Sequence, residues 1–254
     1  MGVDAWVRCN CWENGLTSEP PVPREQLYID EFGSLAATNE EDEEEIEAWL
    51  ETACDHPEMV LAGERIAYHN WFERFGRMLS GQPFPTLVTE LGMSYATPAE
   101  AAERALAELA SLRKLNELVP RVYVLRPAVI EEDVEFCGPF VGLNGPDMAT
   151  DDRGFRVQDT QTGEELFRSM RFHQTPLGSD REPVQLLDLA TGHRFLSPLP
   201  VLINVSWDLR RAEAIAGDIE SVRLTVGHYE SVLAALESVF RASVESRNPV
   251  HWSY

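Results

Sequence analysis

The chain opens on an alternation. Val3, Ala5, Val7, Cys9 and Cys11 fall on one side of an extended backbone, and Asp4, Arg8 and Asn10 fall on the other, which is the period-two pattern of a half-buried strand. Asn14-Gly15 then marks a turn. The stretch Glu19-Pro20-Pro21-Val22-Pro23 excludes helix and central strand, because proline brings no backbone donor.

The spacing next becomes helical. Asn39 stands before Glu40, Glu41 and Asp42, a capping side chain followed by acids that suit the positive end of the helix dipole. Ile46, Trp49, Leu50 and Ala53 recur behind them at helical intervals. A second helix is predicted over residues 59–79, with Tyr68, Trp71, Phe72, Phe75, Met78 and Leu79 as a core stripe and Gly81 where a helix-ending glycine belongs. Thr97-Pro98-Ala99-Glu100 has the form of a capping box with proline in the first turn. Ala102, Ala105, Leu106, Leu109, Leu112 and Leu115 carry that third helix onward.

Beyond Pro120 the pattern is that of strands. Residues 121–136 read as extended, and Cys137 to Gly154 form a Gly-, Pro-, Asn- and Asp-rich loop, a candidate binding loop because long irregular connections are often functional. Asp159 to Gly163 and Asp188 to Gly192 repeat an Asx-x-x-Thr-Gly pattern. In each the aspartate can hold turn N–H groups and the glycine can take a positive φ. Residues 201–205 and 222–226 are further strands, a helix over residues 229–246 buries Val232, Leu233, Leu236, Phe240 and Val244, and His251-Trp252-Ser253-Tyr254 close the chain.

Helices and strands are thus segregated, which predicts an α+β fold: an N-terminal strand with a three-helix part, an antiparallel meander, and a C-terminal helix. Residues 1–120 and 121–254 are the two parts, either separate or fused, and the first strand is open to pairing with the later sheet.

Charge narrows the partners. Forty-three acids face 21 bases, for a formal net charge of -22. Such a surface repels phosphate backbones and anionic lipid, and it is compatible with a basic protein partner or with charge that serves only to keep the protein dissolved. The exposed run Glu40, Glu41, Glu43, Glu44 and Glu45, with Phe140, Leu143 and Met148 of the loop supplying apolar contact, is the predicted partner surface. The bases are arginines except Lys114, a bias that suggests a bacterial source. The opening residues have neither a basic nor a long apolar stretch, so a cytoplasmic protein is expected.

Common catalytic motifs are absent: no phosphate-binding glycine loop, no HExxH, no GxSxG and no CxxC. No catalytic residue is therefore assigned, and a non-enzymatic acidic binding protein of the immunity or antitoxin kind is the first expectation. A Cys–His dyad would need Cys54 or Cys137 beside a histidine, and Cys137, before Gly138-Pro139 at a strand-to-loop junction, has no base assigned to activate it. Of the histidines, His193 reads as a surface residue and His228 as a cap for the last helix.

One set of residues points to a metal. Cys9 and Cys11 can aim two thiols at one point, and Cys54 and His56 lie where a helix ends before Pro57. Three thiolates and an imidazole suit tetrahedral zinc, with His69 as a substitute ligand, so the second expectation is a zinc-binding protein or a metalloenzyme. The competing reading is that Cys9 and Cys11 simply extend the buried face of the strand. The segments Cys9 to Gly15 and Cys54 to Met59, the proline-rich stretch between them, Glu64-Arg65-Ile66 and Asn70-Trp71 resemble a family of uncharacterised bacterial cytoplasmic proteins with a C-x-C segment near the start. The resemblance covers about the first 115 residues and implies no activity. It implies more for the Cys and His positions than core packing.

Overall fold

The computed structural model describes residues 2–30, 33–68, 72, 75, 76, 78–93, 95–115, 123–128, 146–178, 183–203, 213, 214 and 216–253. It is α+β, and the chain divides into two units: residues 1–120 together with 225–254, and residues 121–224. The C-terminal helix, expected with the meander, belongs to the first unit.

In the first unit the opening strand, Gly2–Arg8, is central. It pairs antiparallel with Val60–Tyr68 on one side and with Val250–Ser253 on the other, and Ala96–Thr97 adds a short outer strand. So the first strand pairs with the end of the chain and not with the meander. Val3, Ala5 and Val7 are buried, as the alternation requires. The helix Glu230–Ser246 packs on this sheet and against the helix Ala99–Leu112. Trp252 is sealed between Phe240 and Phe72, with ring centroids 6.0 and 6.4 Å away.

Two expectations need correction. Residues 60–68 are a strand, not the start of a helix. Pairing with Gly2–Arg8 satisfies the backbone of this segment, and tertiary pairing overrides weak helical propensity, the more so around Gly63. The helical stripe survives only beyond it: Phe72, Phe75, Met78 and Leu79 are buried helical residues, and Gly81 has φ +83°. Trp71 and His69 lie outside the described residues. The third helix forms over Ala99–Leu112, but Thr97 does not cap it; Pro98 takes the cap position without a side-chain hydrogen bond. The Thr97 hydroxyl accepts from Trp252 instead.

A helix at Pro85–Met93 was not anticipated. Its signal was modest: a proline at the start and Leu87 and Leu91 one turn apart, both buried. Glu108 of the neighbouring helix accepts from the Thr86 and Leu87 backbone N–H groups at 3.1 and 2.8 Å, satisfying donors that every helix start leaves open.

The second unit is antiparallel throughout its described residues. A five-stranded sheet runs in the spatial order Arg194–Ser197, Val184–Asp188, Arg171–Pro176, Gly217–Arg223, Tyr123–Pro127, and a three-stranded meander consists of Asp147–Asp151, Gly154–Gln158 and Glu165–Ser169. Phe155, Phe167 and Phe172 centre their shared core. Both Asx turns form: Asp159 accepts from the N–H of Gln161 and Thr162, Asp188 accepts from that of Thr191, and Gly163 and Gly192 have φ of +72° and +76°.

Candidate metal centre

The opening strand ends at Arg8, so Cys9 and Cys11 do not share a pleated face. Cys9 still continues the buried side and is 1 % exposed; its N–H donates to Met59 O at 2.8 Å. Cys11 lies in the turn that follows, held by the bonds from Asn14 N–H to Asn10 O and from Leu16 N–H to Cys11 O, 3.0 and 2.8 Å. It is this turn, not strand alternation, that aims the second thiol at the first.

Cys54 and His56 arrive on the bend after the acidic helix Glu43–Leu50. Pro57 opens a single tight turn, and Glu58 and Met59 both take left-handed backbone angles, φ +54° and +58°. Non-glycine residues adopt these only when their surroundings compel it. Here Met59 is fully buried beside Cys9, Leu35 and Ala53, and the distorted turn swings His56 toward the thiols.

The result is a convergence of four donors. The ligand atoms of Cys9, Cys11, Cys54 and His56 all lie within 4.8 Å of one another. Cys9 Sγ is 3.8 Å from Cys54 Sγ, and His56 Nδ1 is 3.4 Å from Cys11 Sγ and 3.9 Å from Cys54 Sγ. A tetrahedral zinc with ordinary bond lengths sets sulfur–sulfur edges of about 3.8 Å and sulfur–nitrogen edges of about 3.5 Å. The four residues fit that ion, and three thiolates with one imidazole are donors it favours.

Surrounding groups fix the loop. Asn10, between the two cysteines, donates from Nδ2 to Ser246 O at 2.7 Å, and Asn248 Nδ2 donates to Asn10 Oδ1 and to Arg8 O, each at 2.7 Å. The end of the C-terminal helix thereby clamps the Cys9–Cys11 turn. Sequence pattern missed this clamp because its partners are separated by more than 200 positions. Arg8 pairs with Glu13 across the turn. Arg24 donates to Trp12 O at 2.7 Å and stacks over the Trp12 ring. Trp12 and Trp49 shield the outside of the cluster.

Burial removes solvent from the thiol environment. It is the main cause that pushes the Cys9 thiol up to about 12, with the neighbouring thiols adding to it, and it also raises Cys11. Without a cation these sulfurs stay protonated at neutral pH; a bound divalent ion reverses that preference by supplying the missing positive charge.

The predicted partner residues divide. Glu40, Glu41, Glu43, Glu44 and Glu45 are exposed, as expected. Met148 is not available: it is 3 % exposed and packs in the core of the second unit, because its segment forms a strand rather than a loop. Phe140, Leu143 and Cys137 lie outside the described residues. Beside the acidic helix is an open cavity of about 880 Å³, lined by residues that include Glu43, Glu47, Glu51, Glu58 and Glu64, with Arg65 the one base among the described lining residues. Arg65 is itself paired with Asp4.

No protein-family model, no curated protein and no solved structure matches the chain. Among the described residues no helix is long and apolar enough to cross a membrane.

Proposed function

We propose that Cys9, Cys11, Cys54 and His56 bind a structural zinc ion that joins the turn after the first strand to the bend after the acidic helix. The observation that carries this reading is the convergence of all four ligand atoms within 4.8 Å. Four protein donors fill a tetrahedral ion and leave no position for substrate, which favours a structural over a catalytic role. The test is thermal unfolding with and without a chelator. A free zinc concentration a thousandfold above Kd stabilises by about 4.1 kcal/mol. At about 2–4 °C per kcal/mol for a unit of this size, chelation should lower the melting temperature by roughly 8–16 °C. An unchanged transition contradicts the reading.

The protein so stapled is, in our proposal, a non-enzymatic acidic binding protein of the immunity or antitoxin kind, with a basic protein as its partner. The observation favouring this is the exposed acidic helix start next to a cavity whose charged lining is mostly carboxylate, among them Glu43, Glu47, Glu51, Glu58 and Glu64. Such a field steers a cationic surface and speeds encounter. Association with a basic protein should slow steeply as salt rises, since screening at physiological strength limits exposed charges to about 8 Å. Association that salt leaves unchanged removes this reading and reduces the charge to a solubility device.

A further inference from the structure

We propose that the zinc site is also a peroxide-sensitive modification site, at which Cys9 and Cys54 close to a disulfide and the ion is released. This rests on the zinc reading above and concerns the chemistry of the same four residues.

The pairing follows from the geometry. Cys9 Sγ and Cys54 Sγ are 3.8 Å apart and belong to segments 45 positions apart in the chain. A disulfide brings its sulfurs to about 2.05 Å, so the closure is less than 2 Å, within reach of side-chain rotation and a small shift of the 54–56 bend. Cys9 and Cys11 flank the single residue Asn10, whose side chain is tied to Ser246 and Asn248. That turn lacks the freedom to rearrange into disulfide geometry. Cys11 rests against His56 Nδ1 at 3.4 Å and is left with it when the other two sulfurs join.

Access sets the order of events. Cys54 and Cys11 are both partly exposed and Cys9 is buried, and Cys54 Sγ is the exposed thiol placed 3.8 Å from Cys9 Sγ and free of the Asn10 clamp. Coordination keeps both as thiolates, the reactive form. The Cys54 thiolate attacks one oxygen of hydrogen peroxide; a sulfur–oxygen bond forms, the oxygen–oxygen bond breaks, and hydroxide leaves. The Cys9 thiolate then attacks the Cys54 sulfur; the sulfur–sulfur bond forms, the sulfur–oxygen bond breaks, and a second hydroxide leaves. Two protons from the acid form of the buffer turn both hydroxides into water. The two thiolates have lost two electrons, peroxide has gained them, and zinc stays divalent throughout. With two of its four donors gone, the ion keeps only Cys11 and His56 and dissociates. The disulfide then joins the same two segments that the ion joined, so the first unit exchanges one staple for another.

The experiment uses the full chain as the Cys137→Ser variant, reconstituted with zinc under reductant, desalted, assayed for metal, and treated with equimolar hydrogen peroxide. Released zinc is read with a chromogenic chelator, and linked peptides are mapped by mass spectrometry without reduction. The expected result is one zinc released per chain, a Cys9–Cys54 linkage, and recovery of the zinc-bound form on adding dithiothreitol and zinc. Retention of zinc after peroxide overturns the proposal, and so does release accompanied by a Cys9–Cys11 link, by cross-linking between chains, or by sulfinic acid alone. Protein that takes up no zinc at the reconstitution step overturns this proposal together with the zinc reading, whereas zinc-loaded protein that keeps its ion through peroxide overturns this proposal only.

Discussion

The indole Nε1 of Trp252 donates a hydrogen bond to Thr97 Oγ1 across 3.0 Å, and both residues are buried. The bond ties the last strand to the segment that enters the Ala99–Leu112 helix, and it changes what a substitution at Thr97 should do. Loss of a helix cap costs about 1 kcal/mol. Leaving a buried N–H without an acceptor costs about 1–3 kcal/mol. Thr97→Ala should therefore destabilise the first unit by an amount that shrinks sharply in a Trp252→Phe background. Equal losses in both backgrounds, measured by denaturant unfolding, would mean the hydroxyl acts elsewhere.

Thr97 also illustrates what pattern can and cannot disclose. The helix was legible from Ala102, Ala105 and Leu109, because burial at helical spacing is a local property. The use of the Thr97 hydroxyl was not, because its partner lies 155 positions away. The same division explains residues 60–68. Their strand state depends on the neighbour Gly2–Arg8, which no local window contains. The two Asx turns were readable in full, since aspartate, threonine and glycine each act within five residues. At the candidate metal centre the four residues that converge were legible from residue chemistry. The turn that joins Cys9 to Cys11 and the clamp from Asn248 were not.

The clamp has a measurable consequence. Asn10 touches no ion, yet it fixes the turn between two ligands through Ser246 and Asn248. Removing an outer group that orients metal ligands typically weakens affinity by about 10–100-fold. Asn10→Ala should weaken zinc binding within that range in a competition titration against a chelator, while the protein still folds and takes up one equivalent. Unchanged affinity would make the clamp irrelevant to the site.

Zinc binding should also depend on pH, in a definite direction. Burial first, and the adjoining thiols after it, hold Cys9 at about 12, and burial raises Cys11 as well. Both are protonated throughout the neutral range in the metal-free fold, so each gives up a proton when the ion binds. Affinity should rise with pH between about 6 and 8, and the stability that zinc contributes should fade on acidification. Titrations in buffers of different ionisation enthalpy will count the released protons; a count of zero contradicts the thiolate assignment.

In the second unit Asp188 accepts from Ser169 Oγ at 2.5 Å and from Thr191. Burial works against its charged form, but these hydrogen bonds together hold the carboxyl below its ordinary value. A depressed carboxyl contributes stability above its unfolded pKa, and that contribution is lost as pH falls through the folded value. Asp188→Ala should cost about 1–3 kcal/mol near neutral pH by leaving the Thr191 N–H of the turn without its acceptor, while the Ser169 hydroxyl keeps Arg171 O as an acceptor at 2.7 Å. The difference between variant and parent should narrow in acid. A pH-independent difference, followed by denaturant unfolding at pH 3 and pH 7, would show that the charge contributes nothing.

The most direct test of the account is the metal content of the protein itself. Purified under reductant and reconstituted, the full chain should hold close to one zinc by plasma mass spectrometry, and replacing Cys9, Cys11, Cys54 or His56 by serine or alanine should lower that content. Parent protein that retains less than about one tenth of an equivalent, or that keeps full zinc when these residues are replaced together, contradicts the assignment of the ion to this site.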